Sequence, residues 1–177
     1  WVRQGGKYTQ HWAFVTPRKQ PPTGHSAATK SDMIDTFVGA RLQKQKLAFA
    51  PATDRAMLAR RAALVLTGLP PSPKLLAAFL ADRRDDAYER LIDKLLNSPR
   101  FGEHQARYWL DAVRYGDTHG LHLDNRRGIF PYRDWVVQAL NANLPLDDFI
   151  TWQLAGDLLP NPTLAQRVAT GFVRMNP

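Results

Sequence analysis

Proline recurs along this chain at places that leave it few folds. Ser72-Pro73 and Ser98-Pro99 each set a side-chain acceptor at a helix N-cap and a ring of fixed φ at the first helical position. Pro51, Pro70, Pro71, Pro145, Pro160 and Pro162 interrupt the backbone between apolar-periodic runs. The runs between them predict helices from Asp32 to Lys46 behind Ser31, from Asp54 to Leu66 before Gly68, and from Ser72-Pro73 to Ala81. Others are predicted from Asp85 or Asp86 through Leu96, from Pro99 to Gly116, and from Pro131-Tyr132 to near Asn143. Asp147 to Leu154 before Gly156, and Thr163 to Val173, complete the set. No stretch alternates long enough for a strand pair. The expected fold is therefore all-α, a compact bundle of seven or eight short helices.

Residues 1–30 read as an extended arm or linker ahead of a helical domain of residues 31–177, because Pro17, Pro21, Pro22 and Gly24 forbid a helix there. Trp12 and Phe14 alternate with Ala13 and Val15, so a short extended segment is expected to pin its aromatics onto the domain. The net charge of +8 is unevenly placed. Residues 1–62 hold eleven Lys/Arg against three Asp/Glu, and the rest is balanced. That asymmetry fits either a face for an acidic partner or a solvated basic surface. Nucleic-acid binding would rest on the charge alone, since basic and aromatic residues do not interleave. Cysteine is absent, which excludes disulfides, Cys-ligated zinc and covalent haem attachment within this chain. No apolar run approaches membrane-spanning length.

Chemistry-bearing groups concentrate between Asp111 and Trp135, DAVRYGDTHGLHLDNRRGIFPYRDW. The helix entering this stretch carries Ala106, Trp109, Leu110, Val113 and Gly116 on its core face. His104, Tyr108, Asp111 and Tyr115 form a second stripe, readable as a polar rim in which Asp111 pairs with Arg107 or Arg114. On the outgoing helix Arg133 falls among Val136, Val137 and Leu140. A guanidinium buried there needs a carboxylate, for which Asp117, Asp124 and the more distant Asp157 are the candidates. In the loop between them, Asp117, His119, His122 and Asp124 have the ligand types of a Zn, Mn or Fe site, although D-x-H-x-x-H-x-D matches no strong metalloenzyme pattern. Glycines at 116, 120 and 128 permit sharp turns. No nucleophile elbow, phosphate loop or dinucleotide fingerprint occurs.

Taken in order, HWAF from His11, LTGLPPSP from Leu66, AYERLIDKLLNSPRFGE from Ala87, RYGDTHG, YRDWV, QLAGDLLPNPT and ATGF resemble the domain of unknown function fifteen forty-nine, the second planctomycete cytochrome-associated domain. The positions matching that family's polar pattern are Asp111, Arg114, Asp117, Thr118, Gly120 and Asp124, then Arg127, Arg133, Asp134, Trp135, Gln153 and Asp157. His119 and His122 depart from it, which favours an Asp/Arg network over a histidine-held metal. The resemblance implies an exported multidomain protein. A cytochrome c-like domain would precede this piece, with WVRQGGKY as its tail, and another uncharacterised domain would follow. Haem would then sit in a neighbouring domain, and no cofactor would be bound covalently here. Two functions follow as expectations. One is a binding or scaffolding module beside the haem domain, with a pocket of Asp111, Asp117, Asp124, Arg127, Arg133 and Asp157. The other is an enzyme, such as a metal-assisted hydrolase of an exported polysaccharide, with the same carboxylates as acid, base or ligands.

Overall fold

The computed structural model describes residues 3, 5, 6, 8, 10–18, 32–120 and 123–175. The expectations for Ser31, Pro21, Pro22, Gly24 and His122 lie outside these residues. Eight α-helices follow in order: α1 (Asp32–Lys44), α2 (Arg55–Thr67), α3 (Pro73–Ala81), α4 (Ala87–Leu96), α5 (Pro99–Ala112), α6 (Phe130–Asn141), α7 (Leu146–Ala155) and α8 (Leu164–Ala169). There is no strand among the described residues, so the all-α class holds. The chain divides into two compact units, residues 1–52 and 53–177.

In the first unit the expected extended segment is instead a 3-10 turn, Trp12–Phe14. The His11 side chain closes it by accepting from the Ala13 N–H, 3.3 Å away. Trp12 and Phe14 are 80% and 76% exposed. The turn is held by local bonds, and it throws both rings outward. Further on, α1 ends before a left-handed Lys46 (φ 57°), and the Phe49 ring comes back over Gly39.

The second unit holds two apolar clusters. Phe79, Leu91 and Leu95 with Ala59, Ala62 and Ala63 join α2, α3 and α4. Ser72 caps α3 as the sequence predicts, accepting from the Leu75 N–H (3.2 Å), and Asp54, expected as the first residue of α2, is its cap and accepts from the Met57 N–H (2.9 Å). Arg55 serves the far end of α3. Its guanidinium donates to the carbonyls of Phe79 (2.7 Å) and Asp82 (2.8 Å), two of the orphan acceptors left where a helix stops.

The larger cluster joins α5, α6, α7 and α8 around Ala106, Tyr132, Trp135, Val136, Ala139 and Phe149. The Trp135 ring stacks between Tyr132 and Phe149, at 6.1 and 5.2 Å. Close approach of α5 to α6 depends on Gly102, where a Cβ would lie 2.5 Å from the Val137 carbonyl oxygen. Asn141 fixes the same crossing. Its Oδ1 accepts from the Gly102 N–H at 2.8 Å and its Nδ2 donates to the Pro99 carbonyl at 3.1 Å.

The helix α5 stops earlier than its periodicity suggests, and α6, which ends near Asn143 as expected, closes on the same motif. After α5, Arg114 turns left-handed (φ 56°), its N–H bonds the Asp111 carbonyl (3.1 Å) and the Tyr115 N–H bonds that of Leu110 (2.8 Å). This Schellman closure satisfies the last carbonyls without glycine. The chain thus leaves α5 at Ala112 and not at Gly116. Asn143 (φ 49°) ends α6 in the same way. The last predicted helix also shortens: a capping box of Thr163 and Gln166 opens α8, but Thr170–Arg174 tightens to a 3-10 helix.

Candidate functional site

The segment from Val113 to Ile129 joins the two most closely packed helices of the second unit, α5 and α6. It is a closed loop and not a free one. Thr118 and Arg126 form an antiparallel bridge. The His119 N–H bonds the Asn125 carbonyl at 3.0 Å, and the Arg127 N–H bonds that of Asp117 at 2.8 Å. At the tip Asp124 is left-handed (φ 45°) and its Oδ1 accepts from the Gly120 N–H at 2.8 Å. Thr118 donates to the same carboxylate, and these bonds hold Asp124 below the usual carboxylate range. Arg127 ties the base of the loop to the chain's last described turn by donating to the Arg174 carbonyl at 2.6 Å.

Asp117, Asp124, Arg127 and Arg133 line one cleft of about 490 Å³, together with Arg126 and Phe130. The four residues expected to converge are therefore brought together, though not by the contacts the sequence suggested. Arg133 is not buried: its side chain is 40% exposed. It sits in the first turn of α6, where a long side chain can leave the apolar arc for water. Its main partner is the adjacent Asp134, whose Oδ1 accepts from Nε at 3.0 Å and Nη2 at 2.9 Å. Asp117 comes next, 3.8 Å from Nη1. The Asp134 carboxylate keeps the guanidinium charged to still higher pH than usual. Asp124 is spent on its own loop and Asp117 accepts from the Tyr115 hydroxyl at 2.6 Å. Burial, reinforced by that bond, pushes the Tyr115 phenol up to about 12.

The remaining expected residues lie apart from this cleft. Asp111 lines a neighbouring one of about 670 Å³ between α5 and α6, with Glu103, Arg107, Arg133 and Asp134. No ion pair joins it to Arg107 or Arg114 among the described residues, and the Arg107 guanidinium instead lies over the Tyr108 ring at 4.5 Å. Asp157 is exposed in the 3-10 turn after α7, and Arg133 takes nearer carboxylates than this one. His119 lines a different cleft from Asp117 and Asp124. Among the described residues no three His, Asp or Glu side chains gather to hold a metal ion.

Sequence reasoning missed the buried polar knot beneath the loop. Trp109 Nε1 donates to Tyr132 Oη (3.0 Å) and to Gln153 Oε1 (2.9 Å). The Tyr132 hydroxyl donates to the same Gln153 oxygen at 2.6 Å, and Gln153 Nε2 reaches the Phe149 carbonyl at 2.8 Å. Burial pushes the Tyr132 phenol up to about 12. The signal was available: Gln153 stands one turn after Phe149 and Tyr132 one turn before Val136, both on apolar faces. This knot leaves no hydrogen-bonding atom of the trio idle, and it anchors the start of α6, from which Arg133 projects.

Among the described residues no helix is long and apolar enough to cross a membrane. Compared with known sequences, residues 33–177 match the PSCyt2 model, described as a protein of unknown function (DUF1549). No curated protein and no solved structure matches the chain.

Proposed function

The chain belongs to the PSCyt2 family of proteins of unknown function (DUF1549), and from that membership and the loop geometry we propose a binding and scaffolding module. In this reading it docks a neighbouring haem-bearing domain of an exported multidomain protein, and a second uncharacterised domain follows it. One observation carries the proposal. Asp117, Asp124, Arg126, Arg127 and Arg133 meet in a single open cleft whose loop is already fixed by its own hydrogen bonds. A rim of both charge signs, held in place before contact, supplies orientation and selectivity at small ordering cost. The carboxylates are engaged as acceptors within the loop, which suits holding a partner better than moving protons. Arg126, Arg127 and Arg133 are apt partners for haem carboxylates and an acidic cytochrome surface. The basic excess of residues 1–62 would add long-range attraction.

The test is a titration of this chain with the adjoining haem domain at low and at physiological salt. Affinity should fall as salt rises, because exposed charges are screened over ~10 Å. The double variant Arg126→Gln, Arg133→Gln should weaken it about tenfold at low salt, roughly one charge-assisted contact. Absent binding, or affinity indifferent to both salt and the variant, refutes the proposal.

A further inference from the structure

A second cleft, on the other side of Arg127, has a different character. It encloses about 590 Å³ and is lined by Arg127, Arg167, Arg174 and His119 above Ile129, Pro131, Tyr132 and Val168. No aspartate or glutamate lines it. The three arginines come from three elements: the loop, α8 and the closing 3-10 helix. Among the described residues none of them forms an ion pair with a carboxylate. Three cationic guanidiniums lining one cleft with no carboxylate among its lining residues make it a place of positive potential. Some exposed arginines of this chain take carboxylates, as Arg84 does with Asp82, and others such as Arg60 and Arg83 form no ion pair among the described residues, so it is the convergence of three on one cleft that sets this group apart.

The cleft is also shaped. Gly171 forms part of its wall against Tyr132, and a Cβ there would sit 3.0 Å from Tyr132 Cβ. Arg127 is held by its bond to the Arg174 carbonyl, and Thr170 Oγ1 donates to the Arg167 carbonyl at 2.7 Å. The space is of small-molecule size, and an apolar floor lies under a cationic rim.

We propose that this cleft binds a small organic oxyanion, a phosphate or carboxylate carried on an apolar group, with Arg167 and Arg174 as its principal charge partners. The site shares Arg127 with the partner-docking cleft, but its principal charge partners Arg167 and Arg174 line only this one, and it stands whether or not that docking occurs. Phosphate and carboxylate share the chemistry that recognises them here, namely paired N–H donors from guanidinium.

Calorimetric titration of the 177-residue chain with inorganic phosphate, phenyl phosphate, benzoate and benzyl alcohol tests it. Phenyl phosphate or benzoate should bind more tightly than inorganic phosphate, and benzyl alcohol should not bind. The tighter of the two organic anions identifies the headgroup. Arg167→Gln and Arg174→Gln should each weaken the tighter probe about tenfold, and Arg167→Lys should recover part of that loss. Arg100→Gln removes the same charge elsewhere and should change nothing. Circular dichroism melts of each variant separate lost binding from lost folding. If no anion binds, or if binding survives both glutamine variants in folded protein, the proposal is wrong. Equal weakening by Arg100→Gln would reduce the effect to net charge and would also overturn it.

Discussion

Gln153 is the residue on which the second unit's larger core closes, because its one oxygen accepts from both Trp109 and Tyr132. Gln153→Ala strands the buried Tyr132 hydroxyl, leaves Trp109 Nε1 only its bond to that hydroxyl, and opens a void, so it should cost about 2 to 4 kcal/mol in chemical denaturation. Tyr132 adds a pH signature. Its folded-state pKa lies near 12, above the ordinary value of 10, so the neutral phenol is favoured in the folded chain. The stability it gives is complete below about pH 10, where both states keep the proton, and is lost as pH rises toward 12. Denaturation midpoints should fall over that window, and Tyr132→Phe should flatten the fall. Arg133 belongs to the opposite class. As a surface pair its removal should cost about 1 kcal/mol or less, where a buried ion pair would have cost several. Helical periodicity correctly placed Arg133 beside Val136 and Val137 but could not tell that the first turn of α6 opens to water. The wheel also held the clue to Gln153. What it lacked was the distance between α5, α6 and α7, which alone brings three polar groups from three helices to one point.

At the scale of elements, caps were the most legible feature and ends the least. Asp54, Ser72, Ser98 and Thr163 cap where their chemistry requires it, because an N-cap is a local event within four residues. The end of α5 was misread because glycine is the usual left-handed stop, and here Arg114 takes that conformation. Arg114→Gly should relieve the strain of a Cβ held in the left-handed conformation and leave stability unchanged or raised by up to about 1 kcal/mol. The contact of α5 with α6 is less forgiving. Gly102→Ala must push the Val137 carbonyl and Asn141 away, and overpacking of this kind costs about 1 to 3 kcal/mol. A thermal melt of the two variants side by side should show opposite or unequal shifts. Equal losses would contradict the assignment of Arg114 as a strained stop. The concentration of charged and polar groups in the loop between these helices was legible from composition alone. Its internal bridge of Thr118 with Arg126 was not, since a single antiparallel pair leaves no alternating pattern to read.

At the scale of the molecule, every buried core side chain among the described residues belongs to residues 53–177. A fragment of those residues should therefore keep a cooperative melt close to that of the entire chain. A non-cooperative fragment would mean that residues 1–52 supply stability which the two clusters do not account for. Family membership sets what this folded unit is compared with and leaves its partner to experiment. The central claim is the proposal that the fixed polar loop between α5 and α6 is a surface on which a haem-bearing domain docks. The most direct measurement is an amide chemical-shift map of the isotope-labelled chain titrated with that domain at low salt. The account predicts shifts concentrated in residues 117–133, fading as salt is raised. Shifts confined to α3 and α4, or none at saturating haem domain, would contradict it.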